Sequence, residues 1–192
     1  MADTPPRRVV VGISGASGLP YAKDLLETLR RAGGVEVHLV ATDGARRVAA
    51  DELDAPFDAL AALADVVHPN RDVGASIASG SFRTLGMAVV PCSATTLSKV
   101  AYGVCDNLLA RAAYVHLKER RPLVLVPREA PLPLPTLEAM VKAAQAGATI
   151  LPASPGFYGR PRTIDDLLGF VTQRVLDLLG VAVDRSPRWK EG

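Results

Sequence analysis

The chain alternates between short, uninterrupted apolar runs and longer stretches in which apolar residues recur every three or four positions. Uninterrupted runs are typical of strands covered on both faces, and the three-to-four spacing is typical of amphipathic helices. The runs predict five strands, at residues 9–13, 35–41, 87–91, 123–127 and 149–151. The stretches between them predict helices at residues 19–32, 45–53, 57–63, 95–101, 107–118 and 136–146, followed by a last helix with apolar positions from Ile164 to Leu178.

Two of these helices carry clear end signals. The first is predicted to stop at Gly33 and Gly34, because glycine accepts the left-handed conformation that ends a helix. The last is predicted to begin at Thr163, which has a capping-box relation to Asp166, with Asp as a weaker substitute for Glu.

Strands that alternate with helices predict an α/β fold with a flavodoxin/Rossmann-like, open, mostly parallel sheet and helices on both faces. The 192 residues suit a single domain, 1–192, with a core at about 8–180 and a short tail at 181–192. Ligands of such folds bind at the carboxyl edge of the sheet. Four loops are predicted at that edge, at residues 14–18, 93–98, 128–129 and 154–158.

The loop after the first strand, at residues 12–18, is rich in Gly and Ser and opens the first helix. Its small residues favour the approach of backbone amides to a phosphate at the positive end of the helix. Ser14 stands where the dinucleotide pattern G-x-G-x-x-G has its second glycine, although Asp43 after the second strand could hold a ribose. A tight strand-to-helix turn without a ligand is the alternative.

The turn at residues 93–98 repeats this arrangement at a second helix start. Ordinary N-capping explains one of the hydroxyls of Ser93, Thr95 and Thr96, and hardly all three. Two donor-rich turns on one edge suit a ligand with a phosphate and a polar ring system.

Several cations are candidates for binding an anionic substrate. Arg111 and Lys118 are seven residues apart and return to nearly the same helix face. Arg128 and Glu129 follow a buried strand at the predicted ligand edge. The alternative is a solvated cluster at a helix end, which explains Arg120 and Arg121 better than the other cations.

Arg174 lies on the apolar stripe of the last helix, where an unpaired guanidinium would be costly to bury. It therefore needs an anion, unless it pairs with a buried Asp or Glu or reaches solvent. Tyr158, in a loop bounded by two prolines, could donate to the same anion or could simply pack.

Composition excludes several classes of protein. A net charge of +2 with 22% charged residues is too balanced for a nucleic-acid binder. Cys92 and Cys105 lack the spacing of a zinc or redox motif, and no group of residues suggests a metal site. The three histidines are assigned no role. Neither a signal peptide nor a membrane span is recognised, so we expect a cytoplasmic protein.

Six motifs, taken together, resemble the flavin prenyltransferases, the UbiX-like proteins. They are Gly-Ile-Ser-Gly-Ala-Ser-Gly at 12–18, Ala-Ser-Gly-Ser-Phe at 78–82, Pro-Cys-Ser-x-x-Thr-Leu-Ser at 91–98, Leu-Lys-Glu-Arg-Arg-Pro-Leu-Val-Leu at 117–125, Pro-Arg-Glu at 127–129 and Pro-Gly-Phe-Tyr at 155–158. The resemblance implies a homo-oligomer, usually a dodecamer, that joins a dimethylallyl group from dimethylallyl phosphate to N5 and C6 of reduced FMN. It also implies that the product, prenylated FMN, is delivered to UbiD-type decarboxylases.

The resemblance assigns roles to individual residues. The FMN-binding positions match Gly15, Ala16, Ser17, Thr42, Ser93, Ala94, Thr95, Thr96 and Arg128. The donor-binding positions match Tyr158 and Arg174, assisted by Arg111 and Lys118, in a site shared between subunits. The catalytic positions match Glu129, Glu52 and Ser17, and Trp189 aligns with a tail tryptophan that covers the pocket.

These placements imply a metal-independent reaction, in which clustered cations stabilise the departing phosphate and Glu129 moves a proton during ring closure. Two other functions stay open. An FMN-dependent cysteine decarboxylase has a similar fold and a similar Pro-x-Ser-x-x-Thr turn, but does not need Arg111, Lys118, Tyr158 and Arg174 together. A non-catalytic flavin carrier needs fewer still.

Overall fold

A computed structural model describes residues 7–186 and shows one six-stranded sheet in which every strand pair is parallel. The strands are β1 (Arg8–Ile13), β2 (Glu36–Ala41), β3 (Val66–Pro69), β4 (Gly86–Cys92), β5 (Leu123–Pro127) and β6 (Thr149–Ile150), in the order β3-β2-β1-β4-β5-β6. The flavodoxin/Rossmann-like fold is therefore confirmed. The order reverses between β1 and β4, and this is where doubly wound sheets bind ligands.

The five predicted strands are present, but the prediction missed β3. This strand has only four residues, ends on Pro69, and is at most half-buried. A short run containing a proline carries little strand signal, and only its pairing with β2 at the edge of the sheet defines it.

Helices cover both faces of the sheet, as predicted. They are α1 (Leu19–Ala32), α2 (Asp43–Glu52), α3 (Phe57–Ala61), α4 (Ala94–Tyr102), α5 (Leu108–Lys118), α6 (Leu134–Gln145) and α7 (Ile164–Leu178), with a single 3-10 turn at Ser76–Ala78. One buried cluster lies beneath α1, α2, α3 and α7, and a second beneath α4, α5, α6 and the 3-10 turn.

The predicted helix ends are also confirmed. Gly33 ends α1 with a φ of 64°, and its amide donates to the carbonyl of Leu29. Thr163 and Asp166 form the reciprocal hydrogen bonds of a capping box at the start of α7. Trp189, to which the sequence assigned a covering role, lies outside the described residues.

Candidate active site

The loop at residues 14–18 lies in the crevice between β1 and β4. A Cβ added to Gly15 would lie 3.0 Å from the Cα of Gly44, so the loop passes this close to the start of α2 only because both positions are glycine. Gly15 and Ser17 face solvent, whereas Ala16 is buried. The loop therefore presents a narrow edge on which an aromatic ring system could lie.

Ser14 is fully buried and joins the ends of the two central strands. Its hydroxyl donates to the carbonyl oxygen of Pro91 at 3.0 Å and accepts from the amide of Ser93 at 2.7 Å. The hydroxyl of Ser14 therefore holds the loops after β1 and β4 together.

Glu52, at the end of α2, occupies the positive end of α1. Its Oε2 atom accepts from the amides of Gly18 and Leu19, each at 2.8 Å. Burial raises the pKa of Glu52, but hydrogen bonds from Ser17, Gly18 and Leu19 outweigh it and hold the pKa below its usual value. These two amides therefore bind a carboxylate of the chain itself and not a phosphate, which corrects the prediction for this helix end.

Arg128 brings the loop after β5 to the same place. Its Nε atom donates to the carbonyl oxygen of Ser17 at 2.9 Å, and its charge also lowers the pKa of Glu52. Glu129 follows it on the surface, where its Oε1 atom accepts from the amide of Ala130 at 3.2 Å. The fold thus brings together Ser17, Glu52 and Arg128, three residues that are far apart in the sequence.

The hydroxyls at the start of α4 serve mainly as caps. Ser93 accepts from the amide of Thr96 at 3.3 Å and donates to the hydroxyl of Thr96 at 3.1 Å, whereas Thr95 is exposed. Capping therefore explains two of the three hydroxyls, more than the sequence indicated. Thr42 likewise caps α2, accepting from the amide of Ala45 at 3.1 Å.

Arg111 and Lys118 line one pocket of about 430 Å³ on the exposed side of α5, as their spacing predicted. Tyr114, Val115 and residues 73–75 and 78–80 complete its wall. Lys118 pairs with Glu119 at 2.7 Å, and a Cβ on Gly80 would collide with that carboxylate. A side chain at position 80 would require this flexible carboxylate to move aside.

Tyr158 lines a second pocket, of about 270 Å³, with Arg160, Arg162 and Phe170. Its ring packs edge-on against Phe170, with 5.6 Å between centroids. Arg174 follows Phe170 by one helical turn, but its side chain is 51% exposed and pairs with Asp177 at 3.2 Å. Of the alternatives that the sequence left open for Arg174, an acidic partner and exposure to solvent are both observed, because the buried stripe of α7 is centred on Val171, Val175 and Leu176 and leaves Arg174 at its margin.

Within residues 7–186, the pocket with Arg111 and Lys118 and the pocket with Tyr158 share no lining residue. Ser17, Glu52 and Arg128 lie at the carboxyl edge, Arg111 and Lys118 on α5, and Tyr158 beside α7. This separation is compatible with the site shared between subunits that the resemblance implies.

Two further groups carry chemistry that the sequence did not assign. His38 and His68, which the prediction left unconnected, are hydrogen-bonded at 2.9 Å across β2 and β3, and this pairing was hidden because β3 itself was missed. Burial raises the pKa of Cys92 to about 12, so this thiol stays protonated and unreactive. Within residues 7–186 no cluster of metal-ligating side chains is found. No helix in the same range combines the length and apolar character needed to cross a bilayer.

Known proteins resemble this chain in both sequence and structure. Residues 2–176 match the family model described as Flavoprotein. The chain is 56% identical to the flavin prenyltransferase UbiX of Deinococcus radiodurans, with 100% of this chain and 98% of that protein covered. It is 48% identical to UbiX of Escherichia coli K12, with 96% and 98% covered.

Two solved structures are similar over nearly their whole length. AnUbiX (PadA1), in complex with FMN and dimethylallyl pyrophosphate, has a TM-score of 0.93 at 43% identity, with 97% of this chain and 99% of that chain covered. The dodecameric, FMN-dependent UbiX-like decarboxylase from Escherichia coli O157:H7 has a TM-score of 0.92 at 44% identity, with 95% and 99% covered. The peptidyl-cysteine decarboxylase EpiD, at 16% identity and a TM-score of 0.63 over 91% of this chain and 98% of its own, shares the fold alone.

Proposed function

Because the chain belongs to the UbiX family of flavin prenyltransferases, we propose that it transfers a dimethylallyl group from dimethylallyl phosphate to N5 and C6 of reduced FMN. The observation that carries this proposal is high identity over the full chain, joined to the cluster of Ser17, Glu52 and Arg128 at the carboxyl edge. The cysteine decarboxylase is disfavoured, because EpiD resembles the chain only in fold.

The flavin site is proposed along the crevice between β1 and β4. Gly15, Ala16 and Ser17 offer a narrow backbone edge, and Arg128 stands beside them as a cation. Thr42 and the turn of Ser93, Ala94, Thr95 and Thr96 flank that edge at the starts of α2 and α4. Helix starts of this kind favour negatively charged groups such as a flavin phosphate.

The donor site is proposed to form between copies of the chain. Arg111 and Lys118 line one pocket and Tyr158 another, with Arg174 one helical turn from Phe170 of that second pocket. An assembly in which the two pockets of different copies meet would bring these groups to one phosphate. We infer a homo-oligomer, and the dodecameric relative supports twelve subunits. Shared sites of this kind are built when neighbouring subunits each contribute part of a closed assembly.

Different residues of the chain are proposed to serve different parts of the reaction. Bound reduced flavin supplies the nucleophilic N5 and C6 atoms. The guanidinium and ammonium groups stabilise charge that develops on the phosphate as it leaves, the role that Mg²⁺ has in many other prenyl transfers. Because its pKa is lowered, Glu52 is ionised at neutral pH, and its negative charge stabilises positive charge within the site. Glu129, exposed beside Arg128, is assigned the proton movement that closes the new ring.

Anaerobic incubation with FMN, a reductant and dimethylallyl phosphate tests the proposal. We expect the mass of the extracted flavin to rise by one C5H8 unit. An unchanged flavin mass would reject the transferase and leave a flavin carrier, whereas carbon dioxide release from a peptide with a C-terminal cysteine would indicate the decarboxylase.

The recipient and location of the product are also proposals. Prenylated FMN would pass to a UbiD-type decarboxylase, and mixing the reaction with such an apo-decarboxylase should restore its activity. We place the protein in the cytoplasm, where Cys92 and Cys105 would stay reduced, as both are in the structure.

A further inference from the structure

A buried ion pair joins α1 to the segment that follows α7. Asp24 of α1 is only 5% exposed, and its Oδ1 atom accepts from Nε and Nη2 of Arg185, at 2.9 and 2.7 Å. Its Oδ2 atom accepts from the hydroxyl of Thr172 at 2.5 Å. Both carboxylate oxygens are therefore occupied, and removal of Arg185 would leave a buried charge without its partner.

Arg185 also contacts the start of α7. Its Nη2 atom, which bonds Asp24, donates in addition to Oδ1 of Asp165 at 2.7 Å. A Cβ added to Gly169 would lie 2.8 Å from Nη1 of Arg185, so the guanidinium packs directly against α7 at this glycine. A side chain at position 169 would displace the guanidinium from this place.

Gln173 fastens the backbone of the same segment. Its Oε1 atom accepts from the amides of Arg185 and Ser186, at 2.5 and 3.2 Å, and its Nε2 atom donates to the carbonyl oxygen of Val183 at 2.9 Å. Nε2 also donates to Oδ1 of Asp177 at 3.0 Å. Gln173 is nearly fully buried, so these bonds are shielded from water.

The network reaches the candidate donor site at two points. Asp177, held by Gln173, pairs through its other oxygen with Arg174. Arg185 and Ser186 themselves form part of the wall of the pocket that contains Tyr158. The segment after α7 is therefore coupled both to the guanidinium of Arg174 and to the surroundings of Tyr158.

We propose that Asp24, Arg185 and Gln173 form a clasp of positioning residues that sets the affinity of the donor site by holding the segment after α7 in place. The clasp holds residues 183–186 against α7 and thereby fixes Arg174 and the wall beside Tyr158. This inference rests on the proposed function for the identity of the donor. A purely structural staple is the competing explanation, and it would affect stability alone.

The test uses Asp24→Asn and Arg185→Met in the FMN-loaded, oxidised protein, in which no transfer occurs. We expect the Kd for dimethylallyl phosphate, measured by calorimetry, to rise about tenfold in each variant, because a small displacement of a binding group costs this much. The double variant should lose no more than either single variant, since both remove one interaction. FMN affinity should not change, because no flavin-loop residue belongs to the clasp.

Arg185→Lys and Arg30→Met serve as controls. Lys keeps the charge and should recover part of the donor affinity. Arg30 donates to the carbonyls of Ala62 and Leu63 on an exposed surface, so its replacement should leave the donor Kd unchanged. If Asp24→Asn does not fold, Arg185→Lys alone tests the proposal. The proposal then requires that its donor Kd lies between those of the wild type and of Arg185→Met.

A second measurement separates positioning from simple stabilisation. Trypsin must extract the side chain of Arg185 from the clasp to cut the bond to Ser186, so Asp24→Asn should release the fragment ending at Arg185 about tenfold faster. Faster cutting with an unchanged donor Kd would overturn the proposal and leave only a staple. Donor binding without formation of prenylated FMN in the wild type would instead reject the proposed function. The ratio of each variant's donor Kd to that of the wild type would still test the role of the clasp. A wild type that binds no donor would overturn both.

Discussion

At the scale of single residues, Glu52 links folding to the candidate chemistry. Its carboxylate caps α1 and lies beside Ser17 and Arg128, so one charge serves both the helix end and the flavin crevice. We expect Glu52→Gln to lower the free energy of unfolding by about 1 kcal/mol, because an amide keeps an acceptor but loses the charge that favours the positive helix end. The loss of turnover, expressed as a free energy, should be larger than this loss of unfolding free energy.

Urea unfolding and single-turnover kinetics measure the two effects of Glu52→Gln. Asp58→Asn is the matched control, since Asp58 is a highly exposed carboxylate paired with Arg46 and should contribute little. Equal losses in the two variants would contradict a special role for Glu52.

Substitution of Glu129 should affect turnover but not stability. Glu129 is exposed and accepts a hydrogen bond from the amide of Ala130 in its own loop, so Glu129→Gln should leave the unfolding midpoint and FMN binding unchanged. Because the proposed ring closure needs a proton transfer, prenylated FMN formation should fall by about a hundredfold or more. A wild-type rate in rapid-quench assays would remove Glu129 from the mechanism.

His116 predicts part of the pH dependence of stability. Burial lowers its pKa to about 4, while its ring binds the carbonyl of Ala112 and the hydroxyl of Thr84. In the unfolded chain His116 therefore binds a proton near pH 6.5, whereas in the folded chain it stays neutral until the pH approaches 4. Stability is lost as the pH falls from 6.5 towards 4. Between pH 8 and 5 this amounts to about 2 kcal/mol.

Denaturant titrations at several pH values check this expectation. His116→Gln removes the titrating group and keeps a donor and an acceptor, so its stability should fall less between pH 8 and 5 than that of the wild type. His38 and His68, whose pKa values burial also lowers, remain in both proteins and cancel in the difference. Parallel pH curves would show that His116 is not responsible.

At the scale of elements, α6 has an unusual distribution of side-chain size. Its inward face uses Ala139 and Ala143, whereas Leu134, Leu137 and Val141 form an outward stripe, with Leu134 66% and Val141 57% exposed. Large apolar side chains on a solvent face indicate a protein interface. We expect a second copy of the chain to cover this stripe in the proposed homo-oligomer.

Val141→Asp tests the role of α6. A carboxylate in the centre of the stripe should reduce the assembly to smaller species, because burying it would cost more than the contact gains. Light scattering after size exclusion measures the mass, and Val67→Asp, at an exposed valine of β3, is the control. If Val141→Asp keeps the full mass, α6 is not an interface.

The elements also show how far the sequence predicted the fold. The five apolar runs and the end signals at Gly33 and Thr163 were sufficient for the main strands and helices, because each is encoded locally. β3 was missed, since it depends on pairing with β2 and not on its own composition. For the same reason the contact between His38 and His68 was missed.

At the scale of the whole molecule, the candidate site could be predicted as a set of residues but not as a geometry. Motifs identified Ser17, Arg128 and Tyr158, whereas the clasp of Asp24 and Arg185 joins positions 161 residues apart and leaves no local pattern. The sequence left the exposure of Arg174 undecided, because helical spacing does not determine which margin of an apolar stripe is covered.

The separation of the two cationic pockets leads to the last prediction, which concerns the assembly. If Arg111 and Lys118 act on a phosphate held by Tyr158 of another copy, Arg111→Met and Tyr158→Phe damage different halves of each shared site. Subunits of the two inactive variants, mixed during refolding or co-expression, should then regain about a quarter of wild-type turnover, because random pairing restores one site in four. Mixing Arg111→Met with Lys118→Met should restore nothing, since both residues line the same pocket of one subunit. Recovery in neither mixture would mean that each chain completes its own site, which would require the two pockets to come together by a rearrangement within one subunit.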